Sequence, residues 1–196
     1  KPKFWDTKNS FISILLFPIS LLVLIFIFFK KKFTKSIKFK IPIICVGNIY
    51  IGGTGKTPTS IFLAKELVKL GRNPVIMRKY YKNHKDEHYM IKENFENLIL
   101  NKNRAIGVAE AEKANYDSVI LDDGLQDYKI NKSLNIVCFN QNQLIGNGLV
   151  MPSGPLRENL SSLIGADIIL INGERNSDFE KRVLSINKSL KIFYSF

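Results

Sequence analysis

Apolar residues along the chain form one long run and several short ones. The long run, Phe11–Phe29, has 19 residues without a charge, close to the length that a helix needs to cross the hydrocarbon core of a bilayer. The short runs have four to seven residues, and most end at Gly, Asn or Asp, as buried strands do. The pattern predicts an apolar N-terminal helix followed by a domain built on short buried strands.

Helical segments are predicted between these strands. An apolar stripe runs through Lys56–Leu70, where Gly71 is a natural stop, and Val108–Asn115 also favours a helix. Residues 79–90 are polar and aromatic, which favours an exposed loop leading into a helix. Helices that alternate with apolar strands predict an α/β fold with a parallel sheet covered on both faces. The predicted strands are Ile41–Gly47, Pro74–Met77, Ser118–Leu121, Ile136–Phe139 and Ile168–Ile171, and residues 192–196 indicate a further apolar strand.

Lysines crowd against the end of the apolar run. Residues 30–40 hold six lysines, whereas only three precede the run, so the positive-inside rule places the rest of the chain in the cytoplasm. A secretory signal peptide would be shorter and have a small-residue cleavage site, and a buried soluble helix would not meet lysines so abruptly. We expect a membrane anchor and basic segment over 1–40 and a soluble domain over 41–196, although Pro18 leaves a kinked or shallowly inserted helix open.

The composition of the chain limits the classes of partner that it is expected to bind. The formal charge is +12, a balance that suits nucleic acid, an anionic bilayer or a phosphorylated substrate. The lysines beside the span make inner-membrane lipids the simplest partner. Because no basic motif interleaved with aromatic residues is present, we expect no nucleic-acid partner, and no obligate protein partner is indicated. Cys45 and Cys138 are expected to be buried free thiols. His84 and His88 lack the further ligands that a metal site needs.

A glycine-rich loop follows the first predicted strand. Its glycines let backbone N–H groups face a phosphate, Lys56 can neutralise the β and γ phosphates, and the Thr57 hydroxyl can bind Mg²⁺. The full consensus has glycine at the position of Tyr50, so the match is to the second half of the motif. We therefore predict a P-loop NTPase-like parallel sheet flanked by helices, preceded by a transmembrane helix. The residues predicted to bind the nucleotide, ATP, are Gly52, Gly53, Thr54, Gly55, Lys56 and Thr57.

Two carboxylates end the predicted strand Ser118–Leu121. The carboxyl end of a strand in such a sheet lies beside the phosphate loop. Asp122 is therefore a predicted Mg²⁺ ligand, direct or through water, together with Thr57, and Asp123 would support the metal or orient the loop. Asp-Gly is also a common turn dipeptide, and the pairing with Gly-Lys-Thr upstream favours the metal role.

Several motifs together resemble one family. They are Val46-Gly47-Asn48-Ile49 before the loop, Leu-Asp-Asp-Gly-Leu-Gln at 121–126, Gly-Asn-Gly at 146–148, Pro-Ser-Gly-Pro-Leu-Arg-Glu at 152–158, and the Phe4-Trp5 pair before the apolar run. Over nearly the whole chain this set is similar to the tetraacyldisaccharide 4′-kinases of the bacterial lipid A pathway. The resemblance implies ATP-dependent phosphorylation of the 4′-hydroxyl of a lipid A disaccharide precursor at the cytoplasmic face of the inner membrane.

The resemblance also implies roles for single residues. The family's Gly-Asp-Glu-Pro motif, whose aspartate activates the acceptor hydroxyl, is matched here by Lys85-Asp86-Glu87-His88. Asp86 inherits that role, although the flanking Gly and Pro are absent. Arg104 is implied as a phosphate or transition-state contact. Arg157 and Glu158 follow a Pro-Ser-Gly-Pro turn, which itself indicates an ordered loop near the site and makes both candidate catalytic residues. The family's histidine after Asp-Asp-Gly-Phe-Gln is replaced by Asp127, which is assigned no role.

The family continues for a further lobe with an Asp-His-His motif, so we expect this sequence to be truncated and, tested alone, weakly active or inactive. Two other classes remain open. Partitioning and septum-site ATPases share Gly-Gly-Thr-Gly-Lys-Thr, but they have lysine where Ile51 stands. A membrane-anchored nucleotide-binding protein without catalysis of its own is the third class.

Overall fold

The computed structural model describes residues 1–82 and 85–195, and in this part of the chain the secondary structure alternates as expected. The helices are α1 (Phe11–Phe33), α2 (Lys56–Lys69), α3 (Lys85–Asn94), α4 (Arg104–Lys113) and α5 (Ser177–Ile186), and short 3₁₀ helices cover Lys3–Trp5 and Leu160–Gly165. The strands are β1 (Ile43–Gly47), β2 (Pro74–Lys79), β3 (Leu98–Asn101), β4 (Ser118–Asp122), β5 (Leu134–Asn140), β6 (Ile168–Asn172) and β7 (Lys191–Ser195).

The strands form a parallel sheet in the order β3-β2-β4-β1-β5-β6-β7. The predicted fold class, a P-loop NTPase-like parallel sheet flanked by helices, is confirmed. The predicted strands lie at or within a few residues of the observed ones, and the apolar strand expected near the end of the chain corresponds to β7. Strand β3 and helix α5 were not predicted, because β3 has an apolar run of only three residues and α5 is mostly polar. The chain divides into two compact units.

One unit comprises residues 35–47 and 55–136. Its strands β1, β2, β3 and β4 pair in parallel, and Asp122 is in register with both Val46 and Arg78. Helix α4 packs its Val108 and Ala111 into the core with side chains from β1, β2 and β4. Cys45 lies in this core as a buried free thiol, as predicted. The register therefore places Arg78, near the carboxyl end of β2, next to Asp122, the last residue of β4.

The second unit comprises residues 1–34, 48–54 and the chain from Val137 onward. Here β6 and β7 pair in parallel, and Phe139 packs edge-on against Phe179 of α5, with ring centroids 4.9 Å apart. Cys138 is buried here as a free thiol. Helix α5 begins at Asn176, whose side chain accepts a hydrogen bond from Phe179 N at 2.9 Å, the usual N-cap contact.

Helix α1 is the one helix in the described residues that is long and apolar enough to cross a membrane. It continues through Pro18 and takes Lys30, Lys31 and Lys32 into its last turn, where cations complement the helix dipole. Its buried residues are Ser13 and Ser20, two turns apart on one face. Ser20 Oγ lies 2.8 Å from both Val150 O and Ser153 Oγ, so the polar stripe contacts the segment 147–153 of the same unit.

Candidate functional site

Helix α2 begins at Lys56, as predicted, and its N-terminus is the first part of the site. Gly55 caps the helix with φ 82° in the left-handed region, which glycine adopts at no steric cost. Lys56 and Thr57 follow as the first helical residues. The unpaired N–H groups and positive dipole of a helix N-terminus favour an anion, so this geometry suits a phosphate next to Lys56.

Three side chains converge on Asp122 at the end of β4. Thr57 Oγ1 donates to Asp122 Oδ2 at 3.0 Å, and Ser60 Oγ donates to Oδ1 at 3.1 Å. Arg78 Nη1 contacts Oδ2 as a buried ion pair. Asp122 is fully buried, so each of these partners replaces hydration that the carboxylate loses.

The pKa of Asp122 is raised above its ordinary value because burial disfavours the charged carboxylate. The Arg78 charge and the hydrogen bonds from Thr57 and Arg78 oppose that rise. The same partners fix the position of the Asp122 carboxyl group against the start of α2.

Arg78 is the main residue that sequence reasoning missed. Arg78 is the second-last residue of β2. Its side chain is 5% exposed and bridges Asp122 to Glu87 of α3 through separate guanidinium nitrogens. Nη1 also lies 3.1 Å from Thr57 Oγ1. A signal for it was present, because Arg78 directly follows the apolar run Pro74–Met77 just as Asp122 follows its own run. Ser60, one turn after Lys56, was missed as well.

Asp123 lies in a second cluster of charged side chains. Lys56 Nζ lies 3.7 Å from Asp123 Oδ1, and Arg104 Nη2 donates to the Asp123 carbonyl at 2.6 Å. Arg104 Nη1 is also 3.8 Å from Asp127 Oδ2, which gives Asp127 a partner that the sequence did not suggest. The predicted residues Lys56, Arg104 and Asp123 are thus brought together, and Asp123 pairs with the lysine.

Asp86 and Glu87 stand in the first turn of α3. Asp86 is exposed, whereas Glu87 is held by Arg78. The helix N-terminus is a favourable place for both carboxylates. Asp86 is therefore adjacent in sequence to Glu87, and the ion pairs of Arg78 connect Glu87 with Asp122. His84, paired with His88 in the rejected metal hypothesis, lies outside the described residues.

In the other unit, residues 48–54 are held by side-chain amides. Asn48 Nδ2 donates to Thr54 Oγ1 at 2.9 Å and lies 3.3 Å from Gly52 O. Asn172, the last residue of β6, donates to Thr54 O. Gly52 has φ 132°, which favours glycine, and a Cβ on Gly53 would meet no atom within 4 Å. The three predicted residues Gly52, Gly53 and Thr54 thus lie in an ordered turn with open space above Gly53.

Residues 155–158 run beside residues 49–51 of that unit. Ile51 N donates to Pro155 O at 2.9 Å, and Arg157 N donates to Ile49 O at 2.7 Å. Tyr50, at the non-consensus position, is fully buried and forms a bridge with Leu156. Glu158 is 4% exposed, and its Oε1 has no hydrogen-bond partner in the described part of the chain. Arg157 and Glu158 thus follow directly on a strand-like pairing with the start of the loop.

The donor set at Thr57 and Asp122 fits Mg²⁺. Magnesium takes oxygen ligands at about 2.0–2.1 Å, keeps several waters and needs few protein ligands. The two oxygens lie 3.0 Å apart, so one ion can contact both. Among the described residues no group of three or more His, Cys, Asp or Glu side chains could hold a metal, and a nucleotide-bound Mg²⁺ does not require one.

Solved structures share this architecture. "Apo" form LpxK from Aquifex aeolicus in complex with ATP superposes with a TM-score of 0.70 and 28% identity, over 81% of this chain and 58% of that one. The hydrogenase maturation factor HypB from Archaeoglobus fulgidus, at 11% identity, has a TM-score of 0.53 over 91% of this chain and 90% of its own, and so supports the fold alone.

Sequence comparison is more specific. The tetraacyldisaccharide 4′-kinase of Pelagibacter ubique is 42% identical over 98% of this chain and 62% of its own length, and that of Wigglesworthia glossinidia brevipalpis is 32% identical over 85% and 52%. The chain thus spans between half and two thirds of the length of these curated relatives. The model of the tetraacyldisaccharide-1-P 4′-kinase family matches residues 12–194. With that match over nearly its whole length, the chain belongs to the tetraacyldisaccharide 4′-kinase family.

Proposed function

We propose that the protein transfers a phosphoryl group from ATP to the 4′-hydroxyl of tetraacyldisaccharide 1-phosphate. The observation that carries this proposal is the joint position of Lys56, Thr57 and Asp122, at a helix N-terminus and a strand end, in a chain of this kinase family. Phosphoryl transfer needs positioning and charge neutralisation more than covalent chemistry, and these residues supply both.

Each residue in the site has one task in this reaction. The backbone at Gly55 and the Lys56 ammonium bind the phosphates of ATP, and Arg104 adds positive charge beside Asp123. Thr57 and Asp122 would hold Mg²⁺, with Asp123 in support. A Mg²⁺ ion supplies positive charge to the phosphate oxygens when it is bound.

Asp86 is proposed to accept the proton of the acceptor hydroxyl. In that step the sugar oxygen bonds to the γ-phosphorus, the bond from that phosphorus to the bridging oxygen breaks, and the proton passes to the carboxylate. Asp86 is exposed at the start of α3, so an incoming substrate can reach it. Arg157 and Glu158 are proposed to contact substrate, since Glu158 Oε1 is buried with no hydrogen-bond partner among the described residues.

The proposed location is the cytoplasmic face of the bacterial inner membrane, with α1 as the anchor. The apolar side chains of α1 are exposed, among them Phe11, Leu22 and Phe26, and three lysines follow them in the last turn. An apolar helix with a lysine cluster suits an anionic bilayer, where the lipid substrate would also reside.

The test is an assay of the complete gene product in membranes with radiolabelled ATP, Mg²⁺ and tetraacyldisaccharide 1-phosphate. We expect a labelled bisphosphate, and no product from Lys56→Ala. Asp86→Ala should lower turnover at least tenfold and leave ATP binding intact, because a general base contributes about 10²–10⁴-fold. ATP binding without any labelled lipid in the wild type would contradict the kinase assignment and favour a non-catalytic nucleotide-binding protein.

A further inference from the structure

Arg78 connects the end of β4 with the start of α3. Its Nη1 contacts Asp122 Oδ2 and lies 3.1 Å from Thr57 Oγ1, while its Nη2 contacts Glu87 Oε2. The Asp122 side chain is 0% exposed and that of Glu87 is 46% exposed. One arm of the guanidinium therefore lies in a buried site, and the other lies at a partly exposed helix end.

The buried arm uses the oxygens that would hold Mg²⁺. Thr57 Oγ1 and Asp122 Oδ2 are both within reach of Arg78 Nη1. A guanidinium and a divalent cation compete for the charge of one carboxylate, and they repel each other strongly where water is excluded. Mg²⁺ at these oxygens would weaken the hold of Asp122 on Arg78.

The exposed arm offers Arg78 a second carboxylate. The planar guanidinium presents its donors in a fixed fork, so a shift of Nη1 away from Asp122 also moves Nη2. Glu87 lies next to Asp86 in the first turn of α3. The ion pair with Glu87 therefore links Arg78 to the helix turn that also carries Asp86.

We propose that Arg78 is a positioning residue that couples metal binding to α3, an inference that rests on the proposed kinase function. Mg²⁺ held by Thr57 and Asp122 would compete with Arg78 for the Asp122 carboxylate, so Arg78 would shift its ion pairing toward Glu87 and reposition the first turn of α3. Asp86 is placed for the acceptor hydroxyl once the donor is bound.

The test compares Glu87→Gln with Glu93→Gln, an exposed change of the same chemistry on the same helix. Calorimetry gives the Mg²⁺ concentration for half-maximal ADP binding, and hydrogen exchange follows the amides of residues 85–94 with ADP alone and with ADP and Mg²⁺. In the wild type we expect Mg²⁺ to change exchange in α3. In Glu87→Gln that response should be lost and the half-maximal Mg²⁺ concentration should rise about fivefold, because a neutral amide no longer competes with Asp122 for Arg78.

Glu93→Gln should behave as the wild type in both measurements. Arg78→Lys is a second variant, since one ammonium keeps the charge but cannot hold both carboxylates, and it too should lose the α3 response. The coupling is overturned if α3 of the wild type does not respond to Mg²⁺ while ADP binds, or if Glu87→Gln matches Glu93→Gln in either measurement.

These outcomes separate the coupling from the kinase assignment. A coupled α3 in a protein that never labels the lipid contradicts the kinase function only. Lipid phosphorylation with an unresponsive α3 contradicts the coupling only. If the wild type fails to bind ADP at all, both are overturned.

Discussion

At the scale of single residues, Asp122 is a fully buried carboxylate whose charge is balanced by Arg78. In Asp122→Asn the guanidinium loses its buried partner, which costs on the order of 3–5 kcal/mol of unfolding free energy. The Mg²⁺ dependence of nucleotide binding should disappear as well. Urea unfolding and calorimetry measure the two effects, with Asp178→Asn, an exposed aspartate of α5, as the control. A stable variant with wild-type Mg²⁺ dependence would contradict the role of Asp122.

Cys45 provides a test of core packing. Burial in an apolar core raises the pKa of its thiol to about 11, so at pH 8 only about one molecule in a thousand carries the reactive thiolate. We expect no alkylation of Cys45 by iodoacetamide in the native protein at pH 8, and rapid alkylation in urea, as read by peptide mass spectrometry. The thiolate fraction rises about tenfold per pH unit below the pKa. If Cys45 is still not alkylated at pH 10, the reaction is limited by access of the reagent to the buried thiol and not by the shortage of thiolate. Native labelling at pH 8 would show that β1 is open.

Much of the site could be predicted from the sequence because its residues are adjacent to recognisable patterns. Lys56 and Thr57 stand in a glycine-rich motif, and Asp122 ends an apolar run. Arg78 also follows such a run, but a single arginine at that position does not by itself indicate a binding site. Its meaning depends on the register of β2 with β4, which pairs Arg78 with Asp122 and which the sequence does not specify.

At the scale of elements, the close approach of β1 to the turn after β4 depends on Gly47. A Cβ at this position would lie 2.5 Å from Leu125 Cβ and 3.2 Å from Leu125 N, so the turn that follows Asp122 and Asp123 would have to move. Gly47→Ala should lower the unfolding free energy by about 1–3 kcal/mol. The matched control is Gly165→Ala, where a Cβ meets nothing within 4 Å. Equal unfolding midpoints for the two variants in urea would contradict the packing.

The elements that sequence patterns missed have a physical explanation. Helix α5 carries two buried apolar side chains, Phe179 and Val183, one turn apart in an otherwise polar segment, which is a weak stripe. Strand β3 has four residues and is only partly buried. Strand β4, by contrast, is buried at every position, and its continuous apolar run identified it. A long apolar run was therefore a clearer signal than a short run or a weak helical stripe.

At the scale of the whole molecule, the lysines that end α1 should control attraction to anionic lipid. Each lysine near such a surface contributes about 1 kcal/mol, so replacing Lys30, Lys31 and Lys32 with Gln should weaken binding to phosphatidylglycerol-containing vesicles about 100-fold. The control replaces the exposed Lys181, Lys188 and Lys191. Co-sedimentation at low and high salt measures both. The effect should shrink at high salt because ions screen it, and equal losses in the two triple variants would contradict a local role.

The contacts of residues 147–157 link helix α1 to the residues before Gly52. This segment bonds to Ser20 of α1 at one end and to Ile49 and Ile51 at the other, just before Gly52. With α1 in the membrane as proposed, this segment would tie residues 49–51 to the membrane-bound helix. The distance of residues 48–54 from the bilayer surface would then be set by the anchor and not by the rest of the fold.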